Sequence, residues 1–263
     1  NTSSNNLYTS QSGNSNGGEY NVSLGYHAGN SLTSSGRYNS LFGFQAGKSL
    51  TSGDYNSFFG YNAGQTVTTG VRNVSVGPWS MQTGTVTGND NVAVGNSALR
   101  LLTSGADNVA IGTVAGENLT TASNNTFVGR YAGNDVTTGA TNSCFGAFAG
   151  QKITTSAYNT CLGGQAGMEL TTGANNTCIG YNAGYNGTTD LTTGSNNILI
   201  GYGVTSSSAT VSNEITLGDT NITKFRIPGI NFELADNGGT PANGTVLTMA
   251  SGGATWAAAA RGV

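Results

Sequence analysis

Side-chain catalysis needs acids, bases or nucleophiles that converge, so those residues come first. The chain of 263 residues has one His, His27, and twelve acids, among them Asp54, Asp90, Asp107 and Asp135, which stand singly. No pair recurs at the short spacing that favours general acid and base work, although glycosidase carboxylates can meet from distant segments or from different chains. Cys144, Cys161 and Cys178 are one 17-residue step apart, not in the Cys-x-x-Cys pairs of a metal site. No helical pattern follows the Gly-rich pieces, which excludes a phosphate loop, and the Gly- and Asp-bearing Ca²⁺ nonapeptide is absent. The expectation is no catalytic residue, no metal and no cofactor. What remains is a set of large groups, Tyr26, Phe44, Tyr61, Trp79, Tyr131, Phe148 and Tyr181, beside His27, Gln45, Asn62, Gln165 and Asn182. Aromatics next to amides suit a stacked glycan, with Tyr26, Tyr61, Trp79 and Tyr181 as candidates, and they equally suit padding against a neighbouring chain.

Composition bounds the classes that remain. There are 42 Gly and only 8% charged residues, against roughly 7% Gly and about 25% charged in an average soluble domain. Eleven Tyr, nine Phe and abundant Thr, Val and Ile argue against disorder, which is poor in aromatic and β-branched residues. A net charge of −3 with nine scattered Lys and Arg offers no basic stripe for nucleic acid. No apolar run approaches the ~20 residues a bilayer needs, so no membrane insertion is expected. The start at Asn1, without Met or signal sequence, reads as a processed end or the edge of a longer protein.

The organising feature is an internal repeat. Asn followed four residues later by Gly recurs at Asn21, Asn39, Asn56, Asn73, Asn91, Asn108, Asn125, Asn142, Asn159, Asn176 and Asn197, mostly 17 residues apart, with Asn5 opening a weaker first copy. Counting the Asn as position 1, Gly stands at 5, Ala-Gly at 8 and 9, an aliphatic residue at 12, Thr at 13 and usually Gly at 15. Apolar residues alternate at period two over pieces of four or five residues, which predicts short strands rather than helices. One unit cannot close a core alone, so units must stack about 4.8 Å apart with each strand beside its copy. The fold expected is all-β, a β-solenoid (β-roll or β-helix) of ~17-residue coils. Twelve such coils make a rod on the order of 50–60 Å long. Insertions ahead of Val86 and Leu191 must bulge at a corner. Expected boundaries are 1–20 for an irregular N-terminal coil or cap, 21–203 for the repeat, and 204–263 for a C-terminal β region. That region holds a last coil near Asn213–Gly218, a new pattern at Lys224–Pro228 and a hairpin around Ser251-Gly-Gly253.

Stacking turns each position into a rank along the rod. The Asn rank (Asn39, Asn56, Asn108, Asn125, Asn142, Asn159, Asn176 and the rest) is expected inside a corner, bonding the turn backbone and its own copies. Positions 2 and 4, as in Val92/Val94 and Ile198/Ile200, are assigned to the interior. Position 3 then faces outward, yet it holds Phe58, Phe127, Cys144, Cys161 and Cys178, so both strand faces are apolar and a second layer is implied. Loops of two to five residues cannot supply it. Another chain can, which places position 3 on the axis of a parallel homotrimer. The Cys residues read first as stacked small hydrophobes, with interchain disulfides across that axis as the alternative. Thr at position 13 reads as turn hydrogen bonding, or as an ice-binding face, though adjacent Thr present only one rank where such a face uses two.

Asn91-Val-Ala-Val-Gly95 and Asn108-Val-Ala-Ile-Gly112 resemble the coils of trimeric autotransporter adhesin heads, which implies a left-handed trimeric β-roll. The longer Asn-Thr-x-Φ-Gly-x-x-Ala-Gly-x-x-Φ-Thr-Thr-Gly unit, over residues 5–203, is more similar to phage tail fibres and related virion appendages. So is the Gly-Thr-Val-Leu-Thr…Ala-Thr-Trp ending, over 213–256. The coil is longer than the autotransporter unit, and neither a membrane anchor nor a C-terminal chaperone domain is visible, which favours the viral fibre. The resemblance implies a structural segment of a tail fibre, a stiff spacer presenting a surface to the host, on a virion or otherwise extracellular. Its partners would be its own copies, other virion or filament proteins, and a cell-surface glycan. The alternatives are a subunit of an extracellular adhesive filament or autotransporter-like adhesin, and a Thr-faced ice-binding protein.

Overall fold

The computed structural model describes residues 7–8, 18–227, 232–235, 245–250 and 253–258. Each repeat contributes one strand: β1 (Leu7–Tyr8), β2 (Val22–Leu24), β3 (Ser40–Phe42), β4 (Ser57–Phe59), β5 (Val74–Val76), β6 (Val92–Val94), β7 (Val109–Ile111), β8 (Thr126–Val128), β9 (Ser143–Phe145), β10 (Thr160–Leu162), β11 (Thr177–Ile179), β12 (Ile198–Ile200) and β13 (Ile215–Leu217). They form one sheet in sequence order, every pair parallel, with Cys161 between Cys144 and Cys178. This is a parallel β-solenoid of about twelve coils, as the repeat predicts. The first copy is shorter than expected: Leu7 stands opposite Val22, so Leu7 holds position 2, whereas a copy opening at Asn5 would have put Asn6 there.

The strands are three residues long because left-handed residues stop them at both ends. The residue before each Asn has positive φ, for example 57° at Tyr38 and 59° at Tyr55. Gly at position 5 turns the other end, with φ 134° at Gly43 and 138° at Gly60. A Cβ on Gly43 would also lie 2.3 Å from the carbonyl oxygen of Gly60 in the next coil, so backbone approach and φ both demand glycine. Two successive turns follow. The N–H at position 8 donates to the carbonyl at position 5 (Ala46 to Gly43, 3.3 Å) and the N–H at position 12 to the carbonyl at position 9 (Leu50 to Gly47, 3.0 Å). The insertion before Leu191 does bulge at this corner: Leu191 N–H still reaches the Gly184 carbonyl at 3.0 Å, and Asp190 collects the N–H groups of Asn186 and Gly187 at 2.7 Å.

The interior is the reverse of the assignment made from hydrophobicity. Position 3 is fully buried in every coil from Ser23 to Leu199, together with the Asn at position 1, the small residue at 8 and the aliphatic at 12. Positions 2 and 4 face outward, half-buried or exposed. The reason is alternation: the Asn points inward, so two residues on position 3 does too. Phe58, Phe127, Cys144, Cys161 and Cys178 therefore sit inside their own chain's core, and not at a contact between chains.

Packing across the coil explains the varied sizes at position 3. A Cβ on Gly64 would come 2.6 Å from Phe58 Cδ2, and one on Gly133 2.4 Å from Phe127 Cε1. Where position 3 shrinks to Ser75 or Ala93, position 9 grows to Met81 or Leu99, both fully buried. In those two coils the larger residue at position 9 offsets the smaller one at position 3, while beside Gly116, in the coil of Ala110, the space is taken by Phe127 and Leu99 of the adjoining coils.

Residue contacts divide the chain after Gly218. In the second unit β14 (Lys224–Ile227) pairs antiparallel with β15 (Phe232–Ala235), and β16 (Thr245–Ala250) with β17 (Gly253–Ala258). Leu247 stands opposite Trp256 and Ala250 opposite Gly253, which is the hairpin expected around Ser251-Gly-Gly253.

Candidate functional site

The Asn rank is entirely internal. Asn39 donates its N–H (2.9 Å) and Nδ2 (3.0 Å) to Asn21 Oδ1 and Nδ2 again to the Gly53 carbonyl (2.9 Å). Backbone N–H to Oδ1 links run unbroken from Asn21 to Asn197, ending where Glu214 N–H donates to Asn197 Oδ1 at 2.9 Å. Every side chain both gives and accepts, so the rank is spent on structure. Glu214, at position 1 of the last coil, has no amide to hand on. Its carboxylate accepts instead from the Ser207 hydroxyl, from Ser207 N–H at 2.9 Å and from Thr216 Oγ1 at 2.8 Å, and the Ser207 hydroxyl above all holds its pKa below the usual glutamate range.

The Thr rank is also committed inside the chain. Thr51 Oγ1 donates to the Thr68 carbonyl at 3.0 Å, Thr103 to Thr120 at 3.0 Å and Thr192 to Ala209 at 3.1 Å. These bonds account for the hydroxyls without a ligand. The three cysteines are free thiols, fully enclosed. Cys178 is held well above the ordinary thiol range by its hydrogen bond to Cys161 and then by burial. Enclosure by their own coil removes the route that the alternative of disulfides between chains required.

Charged groups pair one coil apart. Arg72 bonds both oxygens of Asp90 at 2.6 and 2.7 Å, Arg100 meets Glu117 at 2.9 Å and Lys152 meets Glu169 at 2.6 Å. Among the described residues no three His, Cys, Asp or Glu side chains gather to hold a metal.

The aromatic candidates fall at the one corner after the strand, at positions 6 and 7. Tyr26 stacks on Phe44 (centroids 5.4 Å) and Phe44 on Tyr61 (5.1 Å), with rings within 15° of parallel, while Trp79 meets Tyr61 edge-on at 6.1 Å. His27 lies on Tyr26 at 4.0 Å. Tyr181 stacks on Tyr202 at 5.8 Å, apart from the first group. Rings stacked at a coil's spacing turn their faces to one another, so a glycan could reach mainly their edges. Arg130 lies over Tyr131 and Phe148 at 5.3 and 4.7 Å.

A further aromatic rank went unread in the sequence. Tyr20, Tyr38 and Tyr55, each just before its Asn, stack at 5.0 and 4.9 Å, and the signal for it, Tyr-Asn recurring at 18 and 17 residues, was present. No family model, curated protein or solved structure matches this chain.

The remaining outward feature is the strand face itself. Position 4 is apolar in all of β2 to β13, and Leu24, Phe59, Ile111, Leu162 and Leu217 each expose between 41% and 49% of their surface. Position 2 carries Val, Ile, Thr or Ser throughout. No charge interrupts either rank. On the single chain these residues form a contiguous uncharged strip.

Proposed function

We propose that this chain is a structural segment of an extracellular fibre of the viral tail-fibre kind, a stiff spacer that also presents surface to a host. The observation that supports it best is the unbroken Asn rank, which ties every coil to the next by buried bonds and resists bending or sliding between coils. Many of the polar groups a binding site could use, the Thr hydroxyls, the Asn amides and the Arg72, Arg100 and Lys152 side chains, are engaged with the adjacent coil. The coil resemblance to tail fibres supports the same reading, with a virion or the outside of a cell as the location that goes with it. Host contact, in this reading, falls to the exposed aromatic corners at Trp79 and Tyr181, with a glycan as the chemistry they suit.

Antibody raised against residues 21–218 and applied to native particles tests this. Label in a row along an extracellular fibre is the expected result. Label confined to soluble intracellular material overturns it.

A further inference from the structure

We infer that Asn186 is a site of spontaneous modification, at which the peptide nitrogen of Gly187 attacks the Asn186 side chain, expels ammonia and leaves an aspartyl or isoaspartyl residue. The inference is independent of the fibre reading and uses the chemistry of one corner alone.

The loop ahead of Leu191 carries the insertion that lengthens its coil, and Asn186, Gly187 and Thr188 are exposed there. Asn186 is the only Asn followed by Gly among the described residues. Around it stand the nucleophile, the base and the oxyanion donors of an intramolecular acyl transfer. Gly187 N–H donates to Asp190 Oδ1 at 2.7 Å, so a carboxylate is placed to take the proton of the attacking nitrogen. Asn186 Oδ1 accepts Thr188 N–H at 3.1 Å and Thr188 Oγ1 at 2.7 Å, two donors on the oxygen where negative charge develops. These bonds fold the Asn186 side chain back over its own following peptide. Gly187 has no side chain to screen its nitrogen, and nothing lies within 4 Å of where a Cβ would stand.

The exposed Asn residues at the other corner lack this arrangement. Asn124, Asn175 and Asn196 are each followed by an Asn of the buried rank, whose N–H donates at 3.0 Å to the Oδ1 of the rank's preceding member. That nitrogen faces into the coil and is not free to attack.

The reaction balances with water as its only co-reactant. The Gly187 nitrogen gives its proton to Asp190 and bonds to Asn186 Cγ. The Cγ–Nδ2 bond breaks, and Asp190 returns the proton to Nδ2, which leaves as ammonia from a cyclic imide. Water then opens the imide at either carbonyl, giving Asp on the original backbone or isoaspartate with the backbone routed through its side chain. The coil accommodates both products. Leu191 N–H reaches the Gly184 carbonyl at 3.0 Å beneath the loop, and the N–H groups of residues 186, 187 and 188 all bond within it. Each event adds one negative charge to a chain whose formal charge is −3.

Peptide mapping by mass spectrometry, on the full chain held folded at neutral pH and physiological temperature, reads the reaction. The peptide containing Asn186 is expected to gain about 1 Da with time and to split into two chromatographic isomers, faster than free peptide 185–191 in the same buffer. Asp190→Asn keeps an oxygen acceptor for both N–H groups but lacks the base, and is expected to slow conversion about tenfold or more. Thr188→Val removes one donor from the oxyanion and is expected to slow it about threefold. Both variants are compared with the wild type at equal β circular dichroism. Absence of the mass gain in the folded chain, or conversion slower there than in the free peptide, overturns the inference. Undiminished conversion in Asp190→Asn or Thr188→Val overturns the roles given to those side chains. The spacer reading stands in every case.

Discussion

Asn125→Ala should destabilise the solenoid by about 3–4 kcal/mol, and the contributions can be separated bond by bond. Asn125 Nδ2 donates to Asn108 Oδ1 at 3.1 Å and to the Ser123 carbonyl at 3.3 Å. Its Oδ1 accepts Asn142 N–H at 2.9 Å and Asn142 Nδ2 at 3.3 Å. Some partners keep alternatives: Asn108 Oδ1 retains Asn125 N–H at 3.0 Å, Asn142 Nδ2 retains the Ser156 carbonyl at 2.9 Å, and the Ser123 carbonyl retains Thr141 N–H at 3.1 Å. Asn142 N–H alone loses its acceptor while staying buried, which costs about 1–3 kcal/mol, and the weakened bonds add about 1–2 kcal/mol more. Asn125→Asp keeps that acceptor but faces an oxygen toward Asn108 Oδ1 and buries a charge, so it should cost at least as much. Urea unfolding followed by circular dichroism, at one fixed protein concentration, reads the difference. Because each coil couples only to its neighbours, the Ala variant should also lose the single sharp transition. Thr126→Ala, on the outward face beside it, should cost under about 1 kcal/mol. If Asn125→Ala behaves like Thr126→Ala, the Asn rank is not what ties the coils together.

Three other outcomes follow from the same geometry. Phe127→Ala and Gly133→Leu should each cost about 3 kcal/mol or more, by cavity and by clash, but the double variant should recover at least about 2 kcal/mol of the sum because it recreates the pairing of Ala93 with Leu99; additive costs in the same urea assay would refute the volume exchange. The native protein should show no thiol reactive to Ellman's reagent and all of its Cys144, Cys161 and Cys178 thiols reactive after unfolding, whereas rapid reaction of any of them in the folded chain would contradict their enclosure. Glu214 has a lowered folded pKa, so its contribution is full above the unfolded value and is lost as pH falls through the folded one; amide exchange at Ile215–Leu217 should therefore accelerate on acidification relative to Glu214→Gln, and identical pH profiles would refute the role.

The fold was legible because a repeat converts weak local preferences into ranks. Gly at position 5, unremarkable once, becomes a requirement when each copy from Gly25 to Gly201 meets the next coil's backbone. The strand's two faces were not legible from hydrophobicity, and the reason is physical. Leu, Phe, Val and Ile at position 4 outweigh the Ser, Ala and Cys that hold position 3 in most coils, Leu41, Phe58, Phe127 and Leu199 excepted, so a rule that sends the larger apolar residue inward chooses wrongly. The coil is too narrow for that rule. Its interior must also hold Asn, Ala and an aliphatic at position 12, and it admits Phe58 or Phe127 only where glycine stands across from them. The Asn carried the missing information: an inward amide at position 1 fixes position 3 inward by alternation, and the turn-bonding role of that amide already requires it to point inward.

That reversal changes which residues one chain leaves uncovered. Under either orientation the strand is apolar on both faces, and one chain covers only one of them. With position 3 inside, the uncovered residue is the larger one in several coils, Leu24 in place of Ser23, Ile111 in place of Ala110 and Phe145 in place of Cys144, so leaving it in water is the costlier alternative there. In the proposed fibre this division would separate two tasks. The narrow interior of small residues and amides ties each coil to the next, while the apolar ranks at positions 2 and 4 stay outward. Charges that would oppose close approach pair along the rod instead, as Arg72 does with Asp90 and Lys152 with Glu169.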